Sequence, residues 1–327
     1  MTQDDTPVSK SSLWDRTKKA AGTRAFKIVL MILMVALVAF VMSRTIKINE
    51  VTSALSGANI WWILAAGVAA GLTWVGSAIP LQAFSRLKVP FWDAFVVQVA
   101  ASFVGVVAPA GLGPMGLHLR YLTKRGMNAA AASAVVILIE IAQIGTSTVL
   151  LLVSLLIDHD FPHLKISGRT VTIVVVAVVA VVVIALFIPK VRTWLKRGLS
   201  RYWADIQPEL QWVKGRPAHV AYGIGGVILQ TSASALALYF CLLAVGHPTS
   251  FLMAISVYLI GSTIGSAVPT PGGIGSTLGA LVGALHLAGV PAAAALSAAV
   301  LFRLVSFYIQ VPLGWVGFEI MQRRNMV

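Results

Sequence analysis

Pro109-Ala110-Gly111-Leu112-Gly113 and Pro271-Gly272-Gly273-Ile274-Gly275 are the two stretches on which the fold turns. Each follows a hydrophobic run carrying a similar signature, Ser102-Phe103-Val104-Gly105 in the first case and Ser262-Thr263-Ile264-Gly265 in the second. Each precedes a short segment, a glycine (Gly126, Gly289) and four alanines (Ala129–Ala132, Ala292–Ala295) that open a long apolar run. The two copies lie about 160 residues apart, so the chain reads as an internal repeat. Proline and glycine at these places end a helix and begin another.

Around the repeat the composition is that of a membrane domain. The chain has 327 residues, of which 58% are hydrophobic and 11% charged, with a mean hydropathy of +0.87. Soluble domains carry about 25% charged residues. Hydrophobic segments fall at about 26–43, 60–84, 91–108, 129–157, 169–189, 218–246, 249–268 and 290–318, with shorter Gly-rich stretches at 109–125 and 269–288. Helices are expected, because backbone groups in hydrocarbon must pair internally and no barrel-like alternation appears. The expectation is an all-α polytopic membrane protein of about eight long hydrophobic helices and two short ones. Residues 1–25 form a basic tail and residues 26–327 a single transmembrane domain. No small-residue cleavage site follows the first apolar run, which reads as an anchor.

The net charge of +14 could suggest nucleic acid, but the Lys and Arg residues flank hydrophobic segments, as the positive-inside rule requires. Residues Lys190 to Arg216 hold seven basic residues against Asp205 and Glu209, and this linker is expected to be cytoplasmic. Within it, Leu195, Leu199, Tyr202 and Ile206 share one helix face, which predicts an amphipathic interfacial helix. All basic loops fall on one side only if 109–125 and 269–288 each return the chain to the side it came from. The reading is therefore an inverted repeat, about 60–157 and 218–318, with two broken hairpins at Pro-Gly tips entering from opposite faces. Both termini are then cytoplasmic.

The tips suit an anion. Gly111, Gly113, Pro271, Gly272, Gly273 and Gly275 let backbone N–H groups approach a ligand, and each tip opens a helix whose N-terminus favours phosphate. They also suit plain close packing, with Gly275, Gly279 and Gly283 four apart. Glu140 and Arg303 occupy equivalent places in the repeat, and a lone charge at the bilayer centre costs about 2.5–3.5 kcal/mol. They are expected to border one polar cavity that takes a lipid phosphate, or to form a structural ion pair. Gln143 shares a face with Glu140, and Gln310 with Arg303. Arg120 and His118 on the first tip helix rank next, and Gln98 and Gln230 are polar in mid-span. Cys241 sits in an apolar run and is expected to be buried packing.

Those motifs, with His118-Leu119-Arg120-Tyr121-Leu122, Gly289-Val290-Pro291-Ala292 and Leu301-Phe302-Arg303-Leu304, resemble the lysylphosphatidylglycerol synthase transmembrane family. That family is the flippase-like part of bifunctional aminoacyl-phosphatidylglycerol synthases and also occurs as stand-alone proteins. The resemblance implies a stand-alone member without the aminoacyl-transferase domain, in a bacterial plasma membrane, moving lipid between leaflets. Where the family often carries an acidic residue after each glycine motif, this chain has Pro114-Met115 and Ser276-Thr277, which argues against a cationic aminoacyl lipid.

Three function classes follow. The first is a flippase-type translocator of an anionic, phosphate-bearing lipid, or of a polyprenyl-phosphate or lipid-linked sugar carrier. The second is an integral enzyme, disfavoured because no HExxH, nucleophile elbow or paired carboxylates occur in the spans. The third is a non-catalytic partner of a lipid-modifying glycosyltransferase. No Walker A motif is present, so ATP is not the drive, and no cofactor or metal is expected. The expected partners are membrane lipids with phosphate headgroups and the anionic lipid surface, with room for a homo-oligomer and no nucleic acid.

Overall fold

A computed structural model describes residues 57–107, 112–157, 203–267 and 274–327. The Pro-Gly tips at 108–111 and 268–273, the first apolar run, the run at 169–189 and most of the basic linker lie outside them. Among the described residues the chain is helical throughout. In order, the helices are α1 (Ile60–Ala83), α2 (Phe91–Val107), α3 (Leu112–Lys124), α4 (Ala129–Ile157), α5 (Trp203–Lys214), α6 (Pro217–Ala244), α7 (Phe251–Ala267), α8 (Ile274–Leu287), α9 (Ala292–Arg303) and α10 (Gln310–Arg323). A π-helical turn, Leu304–Tyr308, joins the last two.

Among the described residues four stretches are long and apolar enough to cross a membrane: α1, α4, α6 and the run Ala292–Arg323. The segments expected at 91–108 and 249–268 are helices of 17 residues each. At 1.5 Å per residue each covers about 25 Å, short of a hydrocarbon core of about 30 Å. Their starts are fixed: the Pro90 carbonyl accepts from Asp93 and Ala94, and Ser250 Oγ accepts from the Met253 N–H at 3.0 Å.

The centre of the bundle is the antiparallel pair α1 and α6. The Asn59 N–H donates to the Ala244 carbonyl at 2.9 Å, Trp62 stacks on Phe240, and a side chain at Gly223 would collide with Phe84. The helices meet through small residues, including Ala66, Ala69 and Ala70 on α1 and Ala233 and Ala237 on α6, all buried. Dispersion and close backbone approach hold helices together where lipid is as apolar as leucine. At the tightest point a Cβ on Gly76 would lie 2.5 Å from the Gln230 nitrogen, and one on Gly226 2.5 Å from Ile79. The outer side of α4 shows Ile137, Ile141, Ile144 and Val149, as a face bathed in acyl chains requires.

Two helical hairpins flank this pair from opposite ends. In the first, Gly105 faces Pro114, Gln98 bonds His118 and Asp93 pairs with Arg125, so α2 and α3 run antiparallel and open at the end where α1 finishes. In the second, Gly261 meets Leu281 and Gly265 meets Thr277, so α7 and α8 open at the end where α1 begins. Both return helices stop in the same way. Gly126 and Gly289 adopt φ of 93° and 86°, and the following amides reach back to Leu122 and Leu285, a Schellman stop that only glycine makes without strain.

Basic residues collect at the first hairpin's open end. Asp93 takes Arg125 and, at 3.8 Å, Arg324. Arg86 reaches Glu209 on α5 at 3.4 Å, and Glu209 is 2% exposed. α5 is the described part of the expected interfacial helix; Leu195, Leu199 and Tyr202, and the side chain of Ile206, lie outside the described residues.

Candidate functional site

Two polar cavities share a wall inside the bundle. The first, 310 Å³, is lined by Thr73, Trp74 and Ser77 of α1, Gln98, Ser102 and Gly105 of α2, Pro114 of α3, Gln230 of α6, and Ser306, Phe307 and Gln310. The second, 250 Å³, is lined by Thr73, Ser234 of α6, Tyr258 and Ser262 of α7, Thr277 of α8, and Phe302, Arg303, Ser306 and Gln310. Thr73, Ser306 and Gln310 belong to both. The first cavity thus reaches the first hairpin, and the second cavity the second.

The lining follows a simple local rule. Polar residues recur at i and i+4 on otherwise apolar helices, which puts them on one face: Thr73 and Ser77, Gln98 and Ser102, Gln230 and Ser234, Tyr258 and Ser262, Ser306 and Gln310. Several hydroxyls donate back to their own helix. Thr73 bonds the Ala70 carbonyl at 2.6 Å, Ser77 that of Thr73 at 2.7 Å, Ser234 that of Gln230 at 3.1 Å and Ser306 that of Phe302 at 2.6 Å. This satisfies the donor in a dry setting and leaves oxygen lone pairs toward the cavity. Gln98 is held at both ends of its amide. It donates to the Ser77 carbonyl at 3.1 Å and lies 3.2 Å from the buried His118 Nε2, the geometry for an imidazole N–H donating to the amide oxygen. Trp74 Nε1 donates to Ser102 Oγ at 2.9 Å.

Arg303 is the cation of the second cavity. It is 7% exposed and sits at the junction of α9 with the π-helical turn. The Phe307 ring lies 4.5 Å from its guanidinium carbon and covers one face of the planar group. A guanidinium in that setting offers its N–H edge to a phosphate or carboxylate in a fork. Pro312 has no N–H to give the Tyr308 carbonyl, and the turn before it widens: the Ile309 amide reaches the Leu304 carbonyl at 2.9 Å. That widening sets Ser306, Phe307 and Gln310 on the wall.

The structure brings Arg303 and Gln310 together but not the other half of the expected pair. Glu140 is half-buried on α4 and is not among the residues lining either cavity. Gln143 donates to Ser147 within α4 at 3.3 Å. Gly113 and the exposed Arg120 line a separate cavity of 540 Å³, with Val104, Gly116, Leu117, Phe318 and Gln322, between α2, α3 and α10. Gly275 is exposed in the first turn of α8, and His286 is exposed at that helix's far end. Gly111, Pro271, Gly272 and Gly273 lie outside the described residues. Cys241 is buried packing. Thr73, Tyr258 and Ser306 are lining residues that the tip motifs gave no reason to choose, and Ser102, Ser262 and Thr277 stood in the quoted stretches without being singled out as site residues.

The family model described as lysylphosphatidylglycerol synthase TM region matches residues 26–314. No curated protein matches the chain.

Proposed function

The chain belongs to the lysylphosphatidylglycerol synthase TM-region family, and from that premise we propose that it is a flippase-type translocator of an anionic, phosphate-bearing lipid. The family ties this multi-pass membrane protein to lipid handling. The observation that carries the finer reading is the placement of Arg303 in a cavity that abuts a second polar cavity, between hairpins opening at opposite ends. A charge facing hydrocarbon is costly, whereas a charge facing a polar cavity marks a substrate path.

An inverted repeat is supported by the lining itself. Gln98 and Ser102 on α2 correspond to Tyr258 and Ser262 on α7 at a constant offset, and Thr73 and Ser77 on α1 correspond to Gln230 and Ser234 on α6. Corresponding central helices run antiparallel, as a two-fold axis in the membrane plane demands. In this reading the end carrying Arg86, Arg125, Arg323 and Arg324 is cytoplasmic in a bacterial plasma membrane, by the positive-inside rule. The phosphate is drawn to Arg303, and each hairpin gates one side. The drive comes from an ion gradient or the lipid's own gradient, with Glu140 as candidate proton carrier.

The test is reconstitution. Purified protein in liposomes containing tail-labelled phosphatidylglycerol should speed loss of label to a membrane-impermeant quencher over protein-free vesicles. Rates equal to protein-free vesicles would refute a translocator acting alone. Activity restored only by a co-reconstituted glycosyltransferase would favour the partner role.

A further inference from the structure

The two cavities differ in chemistry. The second holds Arg303. Among the described residues the first is lined by no charged side chain, but by uncharged hydrogen-bonding groups, two aromatic rings, and Ala101, Gly105 and Pro114. Neither lining includes an Asp or Glu among the described residues, and the sequence of both tips, 108–111 and 268–273, contains none either. At 310 and 250 Å³ each cavity is at or below the small end of ligand sites, which run from about 300 to 1,000 Å³. Each is the size for part of a headgroup, with acyl or prenyl tails left outside in lipid.

We propose that the two cavities divide one headgroup between them, the Arg303 cavity taking the phosphate and the neighbouring cavity an uncharged polyol esterified to it. This rests on the translocator reading and names its substrate class: a phosphodiester of glycerol, inositol or a sugar, rather than a bare phosphate or an amine. Gln98, Gln230 and Gln310 supply amide donors and acceptors together, and Ser77, Ser102 and Ser306 supply acceptor lone pairs, the mixed set that hydroxyls match. Hydroxyls donate and accept at once, so a neutral polyol satisfies this lining without a counter-ion. An ammonium headgroup would find no carboxylate there and would sit beside a guanidinium. A bare phosphomonoester would leave the Gln230 amide and the second donor and acceptor sites of Gln98 and Gln310 unmatched.

The experiment uses the full chain in phosphatidylcholine vesicles with trace tail-labelled lipids compared in pairs. Phosphatidylglycerol and phosphatidylinositol are set against phosphatidate and phosphatidylethanolamine; polyprenyl-phosphoglucose is set against polyprenyl phosphate. The polyol-bearing member should cross about threefold to tenfold faster, the worth of one or two hydrogen bonds. The pair with the faster polyol lipid tells a glycerophospholipid from a prenyl-linked sugar. Gln230→Leu, and the milder Ser306→Ala, should each shrink the polyol preference toward one in protein that elutes and melts like the parent. Equal rates for all lipids would overturn this inference while leaving a translocator. A preference undiminished in both variants would also overturn it. Absence of any protein-dependent crossing would sink both readings.

Discussion

Gln310 on α10 donates from its side-chain amide to the carbonyl oxygen of Ala70 on α1 at 3.0 Å, joining residues 240 apart in the chain. The same carbonyl receives the Thr73 hydroxyl. Ala70 therefore anchors two of the three residues shared by both cavities, and the wall between them is fixed by backbone.

Losing that anchor should be felt in both stability and transport. Hydrogen bonds between helices in membranes are worth about 0.6 kcal/mol on average and up to about 1.7. Gln310→Leu should lower stability in detergent by about 1 kcal/mol and slow lipid crossing by more than that loss explains. A variant with parental crossing rates would show that the wall is not part of the path.

The glycine seam makes a sharper packing prediction. Gly76→Ala and Gly226→Ala each add a methyl where the nearest atoms stand 2.5 Å away, and overpacking of this kind costs about 1–3 kcal/mol. Gly225→Ala, with nothing within 4 Å of the new atom, is the control and should melt within error of the parent. Thermal denaturation followed by size-exclusion decides it. If Gly76→Ala melts like Gly225→Ala, α1 and α6 do not meet there as described.

Arg303 and Glu140 should separate by phenotype. Arg303→Ala should cut the crossing of labelled phosphatidylglycerol at least about tenfold, the loss of a charge-assisted bond, and Arg303→Lys should restore part, a point charge lacking the planar fork. Glu140→Gln should leave binding intact and flatten the pH dependence of the rate. An unchanged pH profile would remove Glu140 as the proton carrier, in keeping with its place away from the cavity lining.

Sidedness can be read in intact cells. In a Cys241→Ala background, Gly57→Cys and Gly215→Cys place exposed thiols at opposite ends of the bundle. An impermeant maleimide should label the first and not the second. The reverse pattern would put the basic end outside.

Much of the fold could be read from the sequence because membrane helices declare themselves by length and apolarity. The bounds of α1, α4 and α6 came within a few residues, and Gly126 and Gly289, noted as matching glycines of the repeat, share a positive φ at matching helix ends. α2 and α7 read as the first arms of two broken hairpins, re-entrant or fully spanning, because apolarity alone does not say how far a helix of 17 residues reaches. The site was half legible. Arg303 stood out as a charge in an apolar run. Thr73 and Ser306 did not, since single hydroxyls are common in membrane helices; the signal was their i, i+4 pairing with Ser77 and Gln310, visible only when each helix is drawn as a face. Glu140 was matched to Arg303 by linear equivalence, but α4 carries its outer side to lipid and that equivalence does not put Glu140 on the cavity.

The π-helical turn at Leu304–Tyr308 separates what docks α10 from what shapes the cavity wall. Such a turn is an α-helix that has absorbed one surplus residue. Removing one residue there should return the turn to α-helical spacing, apart from the one carbonyl that Pro312 cannot serve, with Gly314 and Gly317 still seated on Phe103 and Val99 of α2. The surplus residue is thus dispensable for docking α10. What would vanish is the displacement that sets Ser306 and Phe307 on the cavity wall. A one-residue deletion in this turn should give a protein that assembles and inserts as before but, on the proposed translocator reading, crosses lipid at a changed rate.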